Sequence, residues 1–325
     1  MSCRIIIAEP DNFSKRALAA LTKHSRVECR NLQQEEICAA METYDVIWIR
    51  LRLRVREPDI PLRPRCRVIV TATTGIDHLD VPLLKKKQVR VLSLRGETAF
   101  LETIGVTAEL TLALMLALFR RLPAAVHSVA QMGQWNRDAY RGVEINGKTA
   151  GIVGLGRLGR KMGRYFKALG MKIMAFDPYG ETNDPHIRMC RTLDDLLIQS
   201  DVVTVHVPLT AETEGLFDGR RFAKMKRGAF FLNTSRGAVV DETALLTNLS
   251  NGHLAGAALD VLCGEPAIDN RHPLIRYACR HENLIITPHI GGAVDGVMER
   301  CEHHVAGLLL ELLEKNMYHS NHSQL

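Results

Sequence analysis

The chain has no Cys-x-x-Cys pair, no lysine-rich tail and no hydrophobic run that reads as long enough to cross a bilayer. Each absence closes off a class of function. Eight cysteines at 3, 29, 38, 66, 190, 263, 279 and 301 are scattered. That is the pattern of reduced intracellular thiols, not of a disulfide frame or a zinc site, so no bound metal is expected. The net charge of +6 over 325 residues comes without an aromatic-interleaved basic stripe, which favours small anionic ligands over nucleic acid. The opening Met-Ser-Cys-Arg-Ile-Ile-Ile-Ala returns to charge too soon for a signal peptide. Residues 110–119 are apolar but short for a membrane span, and Arg120-Arg121 ends them. A cytoplasmic protein with no membrane partner is expected. Internal repeats and low-complexity segments are missing as well.

With 46% hydrophobic and 24% charged residues, the composition is that of a globular protein, and the length is comfortable for two domains. Short β-branched runs at 5–8, 46–49, 67–70 and 89–92 are separated by helical patterns such as 13–23 and 81–87. Strands alternating with helices predict a parallel sheet with covered faces. A second series starts near Lys148, with strands at 149–153, 172–176, 202–207, 229–232, 256–259 and 284–286. Between the two, residues 106–131 predict one or two long helices with Pro123 at the break. They are apolar on more than one face, which suits either a core helix between domains or a subunit interface. Residues 294–316 predict a further long helix with Leu308, Leu309, Leu312 and Leu313 on one side, and the polar tail at 318–325 is expected to fray.

Two segments point to a dinucleotide. Gly154-Leu155-Gly156-Arg157-Leu158-Gly159 follows the apolar run Ala150-Gly151-Ile152-Val153 and opens a helix. In such a motif Gly154 permits the tight turn, Gly156 lets backbone approach a pyrophosphate, and Gly159 lets the helix pack on its strand. The helix N-terminus then offers free N–H groups and partial positive charge. Asp177, eighteen residues past Gly159, ends the next strand. A carboxylate there accepts from both adenosine ribose hydroxyls and repels a 2′-phosphate. Pro178-Tyr179-Gly180-Glu181 supply no cation for such a phosphate, so NAD is predicted over NADP.

Three further segments carry reacting groups at strand ends. Arg236, in Asn233-Thr234-Ser235-Arg236-Gly237, follows a strand; its planar fork can hold a carboxylate and polarise a neighbouring carbonyl. His289, in Thr287-Pro288-His289-Ile290-Gly291-Gly292, follows another; a histidine titrates near neutrality and can give or take the proton that accompanies hydride transfer. Glu265 lies five residues past Asp260 and before Pro266. If it reaches His289 it fixes the ring tautomer and stabilises the imidazolium. Singly, each has a plain structural explanation; together, downstream of a dinucleotide motif, they read as Arg, Glu and His of a catalytic set.

These segments, with Thr73-Thr74-Gly75-Ile76-Asp77-His78 and His206-Val207-Pro208-Leu209-Thr210, resemble the NAD-dependent D-2-hydroxyacid dehydrogenase family, in the pattern of its D-3-phosphoglycerate dehydrogenase-like members. The resemblance covers residues 45–295 most clearly. It implies a Rossmann-type doubly wound coenzyme domain at 96–292 and a smaller, discontinuous, flavodoxin-like α/β substrate domain at 1–95 and 293–325. It implies catalytic roles for Arg236, Glu265 and His289. Cofactor contacts would come from Gly154, Gly156, Arg157, Leu158, Gly159, Asp177, Val207, Thr234, Ser235, Asp260, Gly291 and Gly292, with Asp260 facing the nicotinamide amide. Substrate contacts would come from Thr74, Gly75 and Arg236. A small anionic 2-hydroxy or 2-keto acid substrate, NAD and a homodimer built through the helix near 106–131 are what the family implies. Three departures bear on the substrate. The loop 96–105 is longer than the pattern leads one to expect. Val70-Thr71-Ala72 stands where phosphoglycerate-using relatives tend to carry arginine. The chain stops where longer relatives continue into regulatory domains.

Arg50, Arg52, Arg54 and Arg56 alternate with Leu51, Leu53 and Val55, which places the arginines on one face of an extended segment. That comb reads either as a charged, protected strand edge or, at Arg50 or Arg52, as a contact for a second anionic group of the substrate. Two rival functions remain from the sequence. Some members of this fold family are NAD-sensing corepressors, which keep the Arg–Glu–His set. An NADP-linked glyoxylate or hydroxypyruvate reductase is the other, and Asp177 argues against it.

Overall fold

The structure is a computed structural model that describes residues 3–322 and the side chains of 3–315. The tail expected to fray lies outside the described side chains and, past 322, outside the described residues altogether. The chain divides into two compact units, residues Met1–Ile104 with Ala293–Leu325, and residues Gly105–Gly292.

The first unit begins with β1 (Arg4–Ile7), α1 (Lys15–Thr22), β2 (Arg26–Cys29), α2 (Ile37–Thr43), β3 (Val46–Trp48), β4 (Val68–Val70), α3 (Val81–Lys86), β5 (Arg90–Leu92) and α4 (Thr98–Glu102). Its five strands are parallel in the order β2-β1-β3-β4-β5, the flavodoxin-like arrangement. Strands β3 and β4 are buried throughout, as apolar runs covered on both faces must be. Strand β2 was not predicted. It is an edge strand, Arg-Val-Glu-Cys, mostly exposed, so it carries no apolar signal. Helix starts are set locally: Ser14 accepts from the Ala17 N–H at 3.1 Å and Asp80 from the Leu83 N–H at 3.0 Å.

The second unit contains α5 (Val106–Phe119), α6 (Leu122–Met132), β6 (Thr149–Val153), α7 (Arg157–Ala168), β7 (Lys172–Phe176), β8 (Ile187–Met189), α8 (Leu193–Leu197), β9 (Val202–Val205), α9 (Gly219–Lys224), β10 (Ala229–Asn233), α10 (Glu242–Ser250), β11 (Leu254–Leu259), α11 (Pro273–Ala278) and β12 (Leu284–Ile286). Seven parallel strands run β12-β11-β10-β9-β6-β7-β8. The order reverses between β6 and β9, which opens a crevice for a ligand at their carboxyl ends. Alternate residues feed two cores. Val203 and Phe231 face one with Leu245 and Phe222, while Val202 and Phe230 face the other with Phe119, Met162 and Phe166.

The predicted helical stretch at 106–131 is two helices. The break falls at Arg120-Arg121, where Arg121 is left-handed, and Pro123 sits in the first turn of α6, where a missing N–H costs nothing. Residues Thr98–Phe119 have the length and apolarity of a membrane span, with mean hydropathy 1.6. The same composition suits a core helix, and α5 sends Ala108, Met115, Leu118 and Phe119 into the second unit's core.

The last helix, α12 (Asp295–His322), belongs to the first unit. Val305, Ala306 and Leu309 pack against Ile5, Ile7, Trp48 and Val70. Its Glu302, 2% exposed, accepts from the Ser14 N–H at 2.7 Å and from Arg50 Nε at 3.0 Å. The long loop 96–105 is largely α4. It is fastened to α12 by His304 Nε2 against Glu97 Oε2 at 2.9 Å, by Arg300 Nη2 donating to Thr103 Oγ1 at 2.6 Å, and by Phe100 stacked on the His304 ring at 4.0 Å.

Candidate active site

The glycine turn is built as the motif requires. Gly154 has φ +91°, and a Cβ there would stand 2.7 Å from the His206 carbonyl oxygen, so only glycine lets β6 and β9 close up at this point. A Cβ at Gly159 would collide with the Gly154 carbonyl oxygen, whereas one at Gly156 would meet nothing within 4 Å. Helix α7 starts after Gly156 with no side chain capping it. Its first N–H groups and dipole therefore suit a phosphate, with Arg157 and Leu158 in the opening turn. Asp177 follows β7. One carboxylate oxygen accepts from the Leu155 N–H at 2.8 Å and the other from the Tyr179 N–H at 2.9 Å, which ties it to the glycine turn. Each oxygen keeps a second lone pair for a ribose hydroxyl. The donor set and the open cradle fit a dinucleotide.

The next strands along the sheet hold the reacting groups. The Asn233 side chain writes the turn that presents Arg236. Its Nδ2 donates to the Arg236 carbonyl at 2.9 Å, and its Oδ1 accepts from the Ser235 N–H at 3.0 Å and hydroxyl at 2.7 Å. Arg236 Nη1 donates to the Ser235 carbonyl at 2.8 Å, which curls the guanidinium over its own turn. Thr234 is buried, its hydroxyl 2.7 Å from that of Thr111 on α5.

Asp260, 1% exposed, ends β11 and holds the following loop. Its Oδ1 accepts from the Thr287 hydroxyl at 2.5 Å and the Ile290 N–H at 2.9 Å, and its Oδ2 from the Gly291 N–H at 2.8 Å. The His289 N–H donates to the Asp260 carbonyl at 2.8 Å. Those bonds hold His289 at φ +53°, a left-handed conformation a histidine adopts only when its surroundings fix it. The result is a direct contact between His289 Nδ1 and Glu265 Oε1 at 2.9 Å, with both side chains about a quarter exposed. Nδ1 spent on a carboxylate leaves Nε2 as the working nitrogen. Gly291 is packed so that a Cβ would press on Asp260 at 2.9 Å, while Gly292 has open space.

Val207 follows β9 and lines the glycine turn, 2.9 Å from where a Gly154 Cβ would stand. Arg236, Glu265 and His289 thus sit past the ends of β10, β11 and β12, neighbours in the sheet, with the glycine turn and Asp177 past β6 and β7 on the same edge.

Thr74, Gly75 and Arg52 lie in the first unit, past the carboxyl ends of β4 and β3. Thr73 Oγ1 donates to the Gly75 carbonyl at 2.7 Å and fixes that turn. The arginine comb is not a strand edge. Residues 50–56 form irregular extended backbone with one bridge, Val55 to Leu79, although Leu53 and Val55 are buried as the alternation predicts. Glu9 gathers it by accepting the N–H groups of Arg50 and Arg52. Arg50 is spent on structure: its guanidinium donates to Glu302 and to the carbonyls of Asp11 and Asn12. Arg52 has a looser tie, 3.6 Å to Glu9, and stays 42% exposed.

Three groups near the site were not singled out in the sequence. Burial pushes His206 down to about 4, so its ring is neutral near pH 7, with Nε2 2.9 Å from the Thr204 hydroxyl. Arg160 reaches the loop after Asp177 and donates to the Glu181 carbonyl at 2.6 Å. Glu242 and His272 pair at 3.2 Å behind the Glu265 loop. Each contact joins residues far apart in sequence or hidden among many of their kind, so spacing gave no signal.

The fold and the glycine turn define a dinucleotide-binding protein of the Rossmann type. Residues 112–291 match the family model for the D-isomer specific 2-hydroxyacid dehydrogenase NAD binding domain, and the chain belongs to that family. It is 36% identical over 295 residues to the D-3-phosphoglycerate dehydrogenase of Bacillus subtilis (strain 168), covering 89% of this chain and 53% of that one. It is 33% identical over 290 residues to the Homo sapiens enzyme of that name, covering 89% and 52%. The chain thus spans about half the length of the curated relatives it matches. A crystal structure of D-lactate dehydrogenase from Aquifex aeolicus, complexed with NAD and lactic acid, is similar with TM-score 0.84 and 26% identity, covering 97% of this chain and 96% of that one.

Proposed function

We propose that this protein interconverts a D-2-hydroxy acid and its 2-keto acid with NAD: R–CO–COO⁻ + NADH + H⁺ gives R–CHOH–COO⁻ + NAD⁺. The observation that carries the reading is the His289–Glu265 contact at 2.9 Å, one strand from the Arg236 turn on a dinucleotide-binding sheet. NADH, when bound, supplies the hydride. Arg236 binds the substrate carboxylate and polarises the carbonyl by its fork. His289 Nε2 delivers the proton to the carbonyl oxygen in reduction and takes it back in oxidation. Glu265 keeps the ring oriented and stabilises its charged form. Gly154, Gly156, Arg157, Leu158 and Gly159 hold the pyrophosphate, Asp177 the adenosine ribose, and Val207, Thr234, Ser235, Gly291 and Gly292 the remaining flank. Asp260 faces the nicotinamide amide and also holds the His289 loop. Thr74, Gly75 and Arg52 are further substrate contacts.

We place the protein in the cytoplasm, on its free cysteines, and read it as a homodimer. Leu122, Val126, Val129 and Met132 on α6, 47–62% exposed, form one apolar face of the kind that marks an interface, and Trp135, 89% exposed, follows the helix.

The test is NADH oxidation over a panel of 2-keto acids, some of them phosphorylated, as the similarity to phosphoglycerate dehydrogenases suggests. Arg236→Ala and His289→Ala should cut turnover by orders of magnitude while NADH still binds. Wild-type-like turnover in His289→Ala defeats the mechanism, and a preference for NADPH defeats the role given to Asp177.

A further inference from the structure

The loop after β11 carries Glu265 and the turn after β10 carries Arg236. Both rest on one peptide. Gly237 lies so close to the Leu262–Cys263 peptide that a Cβ there would collide with the Leu262 carbonyl carbon and the Cys263 nitrogen. The N–H of the same peptide donates to Glu242 Oε1 at 2.7 Å. Glu242 is the first residue of α10, and its other oxygen is 3.2 Å from Nε2 of His272, both side chains being 17% exposed. His272 precedes α11, and its Nδ1 is buried with no partner among the described residues. Nε2 is therefore the ring's polar tether.

We propose that Glu242, anchored by His272, is a positioning residue of the active site: it pins the peptide on which the Arg236 turn rests and from which the Glu265 loop departs. The inference rests on the dehydrogenase reading above.

The groups that face this carboxylate are His272 from the head of α11, Cys263 and Glu265 from the loop after β11, and Glu214 beside Cys263. Burial pushes the Glu242 carboxyl above the usual range, and the charge of Glu265 adds to this; the Cys263 N–H and His272 oppose it. Burial also pushes the Cys263 thiol up, followed by the charges of Glu242, Glu214 and Glu265.

E242A and E242Q test the tether. E242A loses the tether, and kcat/KM for 2-keto acid reduction should fall about 10- to 100-fold with NADH binding unchanged. E242Q keeps an oxygen for the Cys263 N–H. Most of the rate should therefore return. Hydrogen exchange in a peptide spanning 260–268 should quicken in E242A and match the wild type in E242Q, a readout that needs no turnover. If the wild type reduces no acid on the panel, the functional reading falls and exchange alone decides the positioning claim. Wild-type exchange in E242A, or exchange and turnover in E242Q as impaired as in E242A, overturns the proposal.

Discussion

Replacing Asp260 by Asn changes one atom's chemistry in a fully enclosed place. The carboxylate accepts three hydrogen bonds, from the Thr287 hydroxyl and from the Ile290 and Gly291 N–H groups, and it is 1% exposed. Asparagine offers one oxygen. If that oxygen replaces Oδ1, the amide nitrogen faces the Gly291 N–H at the former 2.8 Å contact, donor against donor. An orphaned buried N–H costs about 1–3 kcal/mol, and the two bonds that remain lose the charge that strengthened them, about 1 kcal/mol each. The sum is about 3–5 kcal/mol, a large part of an ordinary domain's stability. Urea unfolding followed by circular dichroism measures it. Because these bonds also hold His289 in its left-handed conformation, folded D260N should lose turnover as well. A stability loss under about 1 kcal/mol with unchanged turnover would refute the argument that this carboxylate holds the loop.

Gly237→Ala places a methyl group into the Leu262–Cys263 peptide, where no flexible side chain can move aside; a loss of about 3 kcal/mol or failure to fold is expected, read by the same unfolding assay, and near-wild-type stability would contradict the packing described. For His206 the sign follows from its depression to about 4 from 6.5: the neutral ring's contribution is present above pH 6.5 and is lost as pH falls toward 4. Linkage caps the loss at about 3 kcal/mol for this half-buried ring. The wild type should therefore lose more stability between pH 7 and 5 than His206→Asn, and parallel losses would remove His206 as the cause. Arg50→Ala strands Glu302, which is 2% exposed, and should cost about 3–5 kcal/mol in unfolding. Arg52→Ala should leave folding intact and raise the substrate KM with little effect on NADH binding; an unchanged KM for every candidate acid removes it from the substrate site.

The arginine comb shows where local pattern stops being informative. The alternation Leu51, Leu53, Val55 against Arg50, Arg52, Arg54, Arg56 correctly forecasts that Leu53 and Val55 are buried. It cannot forecast that Glu302, some 250 residues later, claims Arg50. Strands β2 and β8 escaped prediction for a related reason. Strand β2 is a mostly exposed edge with no buried face to leave an apolar signature, and β8, Ile-Arg-Met, is an edge whose two core-facing residues, Ile187 and Met189, are too few to show a period.

The sequence by itself determined the two α/β series, the glycine turn, Asp177, and the three strand-end segments with Arg236, Glu265 and His289. Those follow from steric and hydrogen-bonding demands acting over a few residues, and such demands leave their mark in residue type and spacing. Tertiary structure alone decided that Asp260 holds the His289 loop, and that Glu242 and His272 sit behind it. These pairings arise because parallel strands far apart in the chain lie side by side, and adjacency of that kind is set by the order of the whole sheet.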